Sequence, residues 1–350
     1  MKTDDSQNDI DLALAALNRV LGEVPSARLD IESRGTLDDA DMVLRLTLPG
    51  GPQTLAVKVL KNGEIRNVRQ ALDRIFRFRQ RLPEARHILV APFMSERAAD
   101  LCSREGVSYC DLSGNCRMVL DPLFIRRAGC PNAFITKRGQ RTIFSPKAAR
   151  ILRVMLVQPR RPWRLQLLAD EARVSLGQVA KVKSALLERE LAVAGDDGLI
   201  LTAPRDVLTE WADNFRYVRP DIHDYYSLAG VSEIESSLVS ACRADGLTWA
   251  LTSFSAAARL APQVRYLRAT AYVDGDMERV VSRLKLKEVT SGANVRLLVP
   301  GDDGVFYGTT VVDGQPIVSA VQCYLDLRSE PGRGAEAAET LLTEVLQPQW

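Results

Sequence analysis

Between Ser175 and Arg189, four residues are spaced to present one surface. Gly177, Lys181 and Ser184 recur at helical intervals with Gln178 at the margin, opposite the apolar Val179, Val182 and Leu186. Small and hydrogen-bonding residues on one helix face let a backbone approach the major groove and let side chains reach base edges. A second pair, Asp41 and Lys58, lies on neighbouring apolar runs. An Asp on one strand and an acid-x-Lys triplet on the next can hold Mg²⁺ between two carboxylates while the Lys assists an attacking water. Here the triplet reads Ala56-Val57-Lys58, so one carboxylate is missing, and Asp38, Asp39 or Asp111 would have to replace it. One acid and one lysine make a poor metal cage. The expectation is therefore an inert scaffold with no catalytic residue and no metal site, and a Mg²⁺-dependent nuclease using Asp41 and Lys58 is the alternative.

Weaker chemistry is written further along. Thr252-Ser253-Phe254-Ser255 follows a strand-like run, and Tyr272 and Asp274 sit on or just after the next one, a faint suggestion of a nucleotidyltransferase palm. That chemistry needs a pair of acids for Mg²⁺, and only Asp274 is suitably placed. The chain contains no Walker A loop, G-x-G-x-x-G, H-E-x-x-H or G-x-S-x-G motif, and no cofactor is expected. Its six cysteines form no C-x-x-C pair, and His87 and His223 stand apart from them, so buried free thiols are expected in place of disulfides or zinc.

The elements that must hold these residues follow from pattern and punctuation. From Pro122 to Ala169 there are eleven Arg or Lys and no acid, whereas the formal net charge of the whole chain is only +2. Removing that window leaves 35 basic residues (46 minus 11) against 44 acidic ones, a basic island on an acidic body. Such segregation points to a polyanionic partner. The island is made of Arg126, Arg127, Lys137, Arg138, Arg141, Lys147, Arg150, Arg153, Arg160, Arg161 and Arg164. It runs into three short helices, from Ser145-Pro146 to Pro159, from Leu165 to Ala172, and from the capping box Ser175/Gln178 to about Arg189. A hairpin turning at Gly195-Asp-Asp-Gly198 follows, which makes a winged helix-turn-helix. Gln178, Lys181, Ser184 and Gly177 are the base-reading candidates. Lys137, Arg138, Arg141, Lys147, Arg160, Arg161 and Arg164 are the backbone candidates, because Asp196 and Asp197 at the wing tip repel phosphate.

Before this segment, a hairpin (41–48 and 54–60), a helix (67–82), a strand (86–91), a helix (95–105) and a strand (107–112) outline a degenerate restriction-endonuclease-like α/β domain, with 122–142 as an irregular connector. The arginines at 66, 69, 74, 77, 79 and 81 on its helix are a solvated face or further nucleic-acid contacts. After about Pro220 a third α/β unit follows, with 305–307 read as a strand. The boundaries expected are 1–135, 136–215 and 216–350. An acidic, polar start and the lack of a long apolar run point to a cytoplasmic protein with no membrane partner.

Several stretches taken together resemble a known family. They are Tyr109-Cys-Asp-Leu-Ser-Gly-Asn115, Leu251-Thr-Ser-Phe-Ser-Ala-Ala257 with Ala261-Pro262, Gly304-Val-Phe-Tyr-Gly308, and Val318-Ser-Ala-Val-Gln-Cys-Tyr-Leu-Asp-Leu327 before Gly332-Arg-Gly-Ala-Glu336. The chain resembles the AbiEi-type antitoxin and transcriptional-regulator family of type IV toxin–antitoxin systems from about residue 40 onward. The resemblance implies an autorepressor that binds an inverted repeat of double-stranded DNA in its own promoter, which favours a homodimer, and a C-terminal domain that opposes a nucleotidyltransferase-like toxin. Regulators of this family often lack the N-terminal α/β domain present here. Besides the nuclease, a protein-interaction adaptor whose basic island binds an acidic partner is the remaining alternative.

Overall fold

The computed structural model describes residues 2–37, 40–78, 84–134, 143–215, 220–261 and 266–350. Contacts divide the chain into two compact units, residues 1–138 with 188–190, and residues 139–187 with 191–350.

The first unit runs α1 (Lys2–Leu21), β1 (Arg28–Leu37), β2 (Ala40–Leu48), β3 (Gly51–Val59), α2 (Ile65–Phe78), β4 (Arg86–Ala91), α3 (Glu96–Arg104), β5 (Ser108–Asp111), β6 (Cys116–Leu120) and β7 (Leu123–Arg127). Its seven strands form one sheet in sequential order. The pairs β3–β4 and β4–β5 are parallel, because each of those connections is long enough to carry a helix back across the sheet. Strict alternation then divides the side chains. Met42, Leu44, Leu46, Ile88 and Val90 pack with Ala13, Leu17 and Val20 of α1 on one face. Leu89, Ala91 and Tyr109 pack with Val68 and Leu72 of α2 and Cys102 of α3 on the other. One expectation is corrected here. The stretch after Pro122 opens with β7, which pairs with β6 over Cys116↔Arg127 to Leu120↔Leu123, so the connector begins as a sheet edge. β1 escapes a periodicity reading because charged residues interrupt it and two register shifts break its alternation against β2.

The second unit begins with α4 (Pro146–Val157), α5 (Leu165–Glu171), α6 (Leu176–Glu188), β8 (Ala192–Gly195), β9 (Gly198–Leu201) and α7 (Pro204–Asn214). It continues through β10 (Asp221–Tyr226), α8 (Val231–Ala244), β11 (Thr248–Leu251), α9 (Ser253–Leu260), β12 (Ala269–Asp274), α10 (Met277–Arg283), β13 (Lys287–Glu288), β14 (Val295–Val299), β15 (Thr310–Val312), β16 (Gln315–Ile317), α11 (Ala320–Ser329) and α12 (Gly334–Leu341). Its large sheet has the order β13-β10-β14-β12-β11-β16-β15, and β8–β9 is a separate hairpin. One hydrophobic cluster extends from Ile151 and Leu152 of α4 through Trp211 of α7 to Leu251, Tyr272 and Leu325. The segments expected as 136–215 and 216–350 thus share a core in the described residues. The strand expected at 305–307 is instead the end of a 3₁₀ turn, Asp303–Phe306, because the Asp302 carboxylate accepts from Gly304 N and closes the chain on itself.

Candidate nucleic-acid interface

The three helices and the hairpin are built from a small apolar interior. Ala148, Ile151, Leu152 and Met155 of α4 are buried, as are Val179, Val182 and Leu186 of α6. This leaves Gly177, Lys181 and Ser184 exposed and Gln178 half-buried on the outer side of α6. Gln178 N donates to Ser175 Oγ at 3.3 Å, one half of the expected capping box. A Cβ placed at Gly177 would meet nothing within 4 Å, so no packing contact asks for glycine at that position.

The hairpin is anchored to the connector between α4 and α5. Trp163 and Leu199 exchange N–H···O bonds of 2.8 Å in both directions. Gly198, at φ +136°, allows the close approach, since a Cβ there would stand 2.6 Å from the carbonyl carbon and oxygen of Trp163. Arg161 lies over the Trp163 ring, 4.0 Å from its centroid.

The backbone candidates fall into separate groups. Lys147 is exposed in the first turn of α4 and lines an open depression with Arg173 and Ser175, beside the start of α6. Arg161 and Arg164 are exposed on the connector next to the hairpin. Arg160 is also exposed, and its Nη2 donates to the Trp350 carbonyl at 2.8 Å. Lys137, Arg138 and Arg141 lie outside the described residues.

Much of the rest of the island is engaged within the fold. Arg127 pairs with Glu23 at 2.6 Å. Arg150 donates from Nε to both Asp302 oxygens at 2.9 Å and from Nη2 to Asp303. Arg153 is 4% exposed, donates to Gln322 Oε1 at 2.7 Å and stacks over Trp211 at 5.1 Å. Burial pushes its guanidinium down to about 10, with Asp302 acting in the opposite direction. These residues are not available to phosphate. The partners that answer them lie 104 to 169 positions away in sequence, where a local charge count does not find them.

Behind Arg153 is a buried polar chain that sequence inspection missed. Asp326 Oδ1 accepts from Tyr272 OH and Gln322 Nε2, each at 2.9 Å, and Asp326 Oδ2 accepts from Thr252 Oγ1. Burial pushes Asp326 up to about 6, against hydrogen bonds from Thr252, Tyr272 and Gln322 that pull it down. Two polar residues four apart inside the buried run Val321–Leu327 are the signal that marks it. Thr252 and Tyr272 therefore serve this network, while Asp274 stands exposed at the end of β12.

In the first unit, Lys58 Nζ donates to Asp41 Oδ1 at 3.0 Å, and Val59 N donates to Asp41 Oδ2 at 2.8 Å. The start of β2 and the end of β3 do bring the two residues together. Asp111 is no substitute acid. It is 1% exposed and accepts from Met94 N, Asn115 N and Asn115 Nδ2 at 3.1, 2.8 and 2.9 Å, which fixes the turn after β5. Asp38 and Asp39 lie outside the described residues. Among the described residues, no group of three or more His, Cys, Asp or Glu is placed to hold a metal ion. All six cysteines are free, five of them buried. No helix among the described residues is long and apolar enough to cross a membrane.

Residues 200–347 match the family described as transcriptional regulator, AbiEi antitoxin, type IV TA system. That match covers less than half of the chain. The matched stretch begins inside the hairpin, so α6 and its outer face precede it, yet it contains Asp302, Asp303, Gln322 and Asp326, the partners of α4 and its network. Two solved structures are similar over part of the chain. The complex of EndoMS with double-stranded DNA is 20% identical, covering 29% of this chain and 44% of that one, with a TM-score of 0.21. A repair endonuclease from Pyrococcus abyssi is 18% identical, covering 28% and 45%, with a TM-score of 0.21. The chain thus spans less than half the length of either. No curated protein matches it.

Proposed function

We infer that this chain is a sequence-specific DNA-binding transcriptional regulator, the autorepressing antitoxin of a type IV toxin–antitoxin system. The observation that carries the reading is the outer side of α6. Gly177, Gln178, Lys181 and Ser184 are turned away from a core that needs none of them, on the helix that follows a tight turn and precedes a hairpin. This is a winged helix-turn-helix in which α6 reads bases, and the AbiEi match of the following residues supports the regulatory role. Lys147, Arg161 and Arg164 neutralise phosphates beside it, together with Lys137, Arg138 and Arg141, while the wing tip Asp196-Asp197 stays off the backbone. An inverted-repeat operator and a homodimer follow from the two-fold logic of such binding, and a nucleotidyltransferase-like toxin is the protein partner.

Fluorescence anisotropy on DNA from the chain's own upstream region tests this. The double variant Gln178→Ala/Lys181→Ala should lose about 1–3 kcal/mol of discrimination per base contact while retaining most nonspecific affinity. Unchanged specificity would refute the assignment of α6.

The second reading is supported by the Asp41–Lys58 contact, the arrangement a Mg²⁺-dependent nuclease would need at that place. We favour an inert nuclease-like domain, because Ala56 stands where the second carboxylate belongs and both Asp41 oxygens are engaged. Metal-dependent DNA cleavage that disappears in Lys58→Ala would reverse that preference.

A further inference from the structure

The sheet of the first unit is covered to different extents on its two faces. On the α1 face the cover reaches the last strand, because Met118 and Leu120 of β6 and Leu123 and Ile125 of β7 pack with Ala13, Leu17 and Val20. On the α2–α3 face the apolar cluster stops at Tyr109 of β5, and no residue of β6 or β7 enters it. Strand alternation puts Arg117 and Val119 of β6 and Phe124 and Arg126 of β7 on that uncovered side. Phe124 is 59% exposed, and Val119, directly opposite it, is 43% exposed.

The charge on this patch is all of one sign. Arg117 faces Arg126 across the ladder, and like charges directly opposite one another destabilise a strand pair. An acid beside them would remove that cost, yet among the described residues neither arginine forms an ion pair or a side-chain hydrogen bond. The Arg117 guanidinium lies over the Phe124 ring, 5.8 Å from its centroid, and its Nη1 is buried without a hydrogen-bond partner. On the other face of the same strand, Arg127 is answered by Glu23. The sheet therefore neutralises the cation on its covered side and leaves two on its open side.

The chemistry of an occupant follows from these four side chains. An apolar protein surface would match Val119 and Phe124 but would bury two unpaired guanidinium groups. An acidic peptide would match the arginines and make no use of the ring. A DNA duplex presents phosphates but keeps its bases stacked inside. An unpaired polynucleotide strand brings a flat base for the ring and a phosphate on either side of it for the arginines.

We propose that the open face of the β6–β7 hairpin is a binding site for single-stranded nucleic acid, with a base stacked on Phe124 beside Val119 and the flanking phosphates on Arg117 and Arg126. None of the four side chains offers an acceptor to a 2′-hydroxyl, so ribose and deoxyribose strands bind alike. The site belongs to the first unit and does not depend on the role given to α6.

Fluorescence anisotropy on the full-length protein tests the site with labelled oligothymidylate of about 12 nucleotides, within the ~4–16 typical of such surfaces. The comparison probes are oligouridylate, an abasic strand of the same length and a polyglutamate peptide of matching charge. Oligothymidylate and oligouridylate should bind equally, and the abasic strand and the peptide at least about tenfold more weakly. Phe124→Ala, at an exposed position, should weaken strand binding by about tenfold, whereas Phe124→Trp should retain it and the added indole should be quenched on binding. Arg117→Gln with Arg126→Gln should reduce the salt slope by about 1.4, the value for two phosphate contacts on a single strand. Gln178→Ala/Lys181→Ala should bind the strand as the wild type does. The proposal is overturned if oligothymidylate does not bind, if the abasic strand or the peptide binds as tightly, if one sugar is strictly required, if Phe124→Ala changes nothing, or if the α6 variant abolishes binding. If strand binding is normal but operator binding is absent, the site stands and the reading of α6 falls.

Discussion

Asp326 offers the most direct physical test of how the second unit is held together. Its carboxyl is buried and pushed from an ordinary 3.8 to about 6, with desolvation as the main cause. In the unfolded chain it titrates near the ordinary value. Because the folded value is the higher one, the folded state binds the proton more tightly. Its contribution to stability is then fully present below about pH 4 and is lost as pH rises through about 6. At about 1.4 kcal/mol for each tenfold in proton affinity, ionising Asp326 at neutral pH costs ~3 kcal/mol. Asp326→Asn removes the titration while keeping an oxygen to accept from Tyr272 and Gln322 and an amide to face Thr252, whose hydroxyl can accept. Urea unfolding of wild type and variant should be followed from pH 5 to pH 8. Other carboxylates contribute to both proteins and cancel in the difference, and Arg153, at about 10, does not titrate in this window. The wild type should lose stability relative to the variant by ~1.4 kcal/mol across the range, the other half of the effect having been lost already below pH 5. A difference that stays flat, or that moves the opposite way, would show that Asp326 is not the buried, raised carboxyl described here.

Three further outcomes follow from the same geometry. Gly177→Ala should stabilise the protein by ~0.5–1 kcal/mol in thermal unfolding, since the helix gains and nothing is in the way, yet it should weaken specific DNA binding by crowding the face that meets the groove; a variant neutral in both assays would count against the role of this face. Gly198→Ala should destabilise by ~2–4 kcal/mol, because a Cβ at that left-handed position would run into the Trp163 backbone, and unchanged urea unfolding would contradict the anchoring of the hairpin. Lys147→Ala with Arg164→Ala should reduce the salt slope of DNA binding by about 2 with sequence preference intact, as expected for two phosphate contacts; a slope that does not move would place the DNA elsewhere.

How much was legible in the sequence depended on where the physical cause of each element lies. α4, α5 and α6 are readable because their apolar spacing, the Ser145-Pro146 start and the Gly195–Gly198 turn are all local. β2 and β3 are readable through alternation, and their pairing placed Asp41 beside Lys58. β1 and β7 are the two edges of the seven-stranded sheet, where one side has no partner strand and polar residues are tolerated, so their alternation is weak. The 3₁₀ turn at Asp303 was missed because a single side-chain hydrogen bond from Asp302 outweighs the strand preference of Val305, Phe306 and Tyr307.

The basic island shows the same limit in terms of charge. A run of cations with no acid inside it implies a polyanion only if the compensating acids are neighbours in sequence, and folding removes that condition. Arg150 finds Asp302 and Asp303, Arg153 finds a buried amide chain ending at Asp326, and Arg127 finds Glu23. A long-range pair of this kind costs two desolvations and is repaid only where the partners are rigidly held. Arg150 and Arg153 lie on the inner side of α4, against the turn at Asp302 and against α11. Among the described residues Lys147 and Arg164 meet no acid, and Arg161 meets only the Gln158 amide at 3.0 Å and the Trp163 ring. The island is therefore two populations, one that joins α4 to the AbiEi-matched residues and one left for phosphate. Neutralising Arg150 and Arg153 would loosen the unit that carries α6, whereas neutralising the exposed set would leave that unit intact and weaken its hold on DNA.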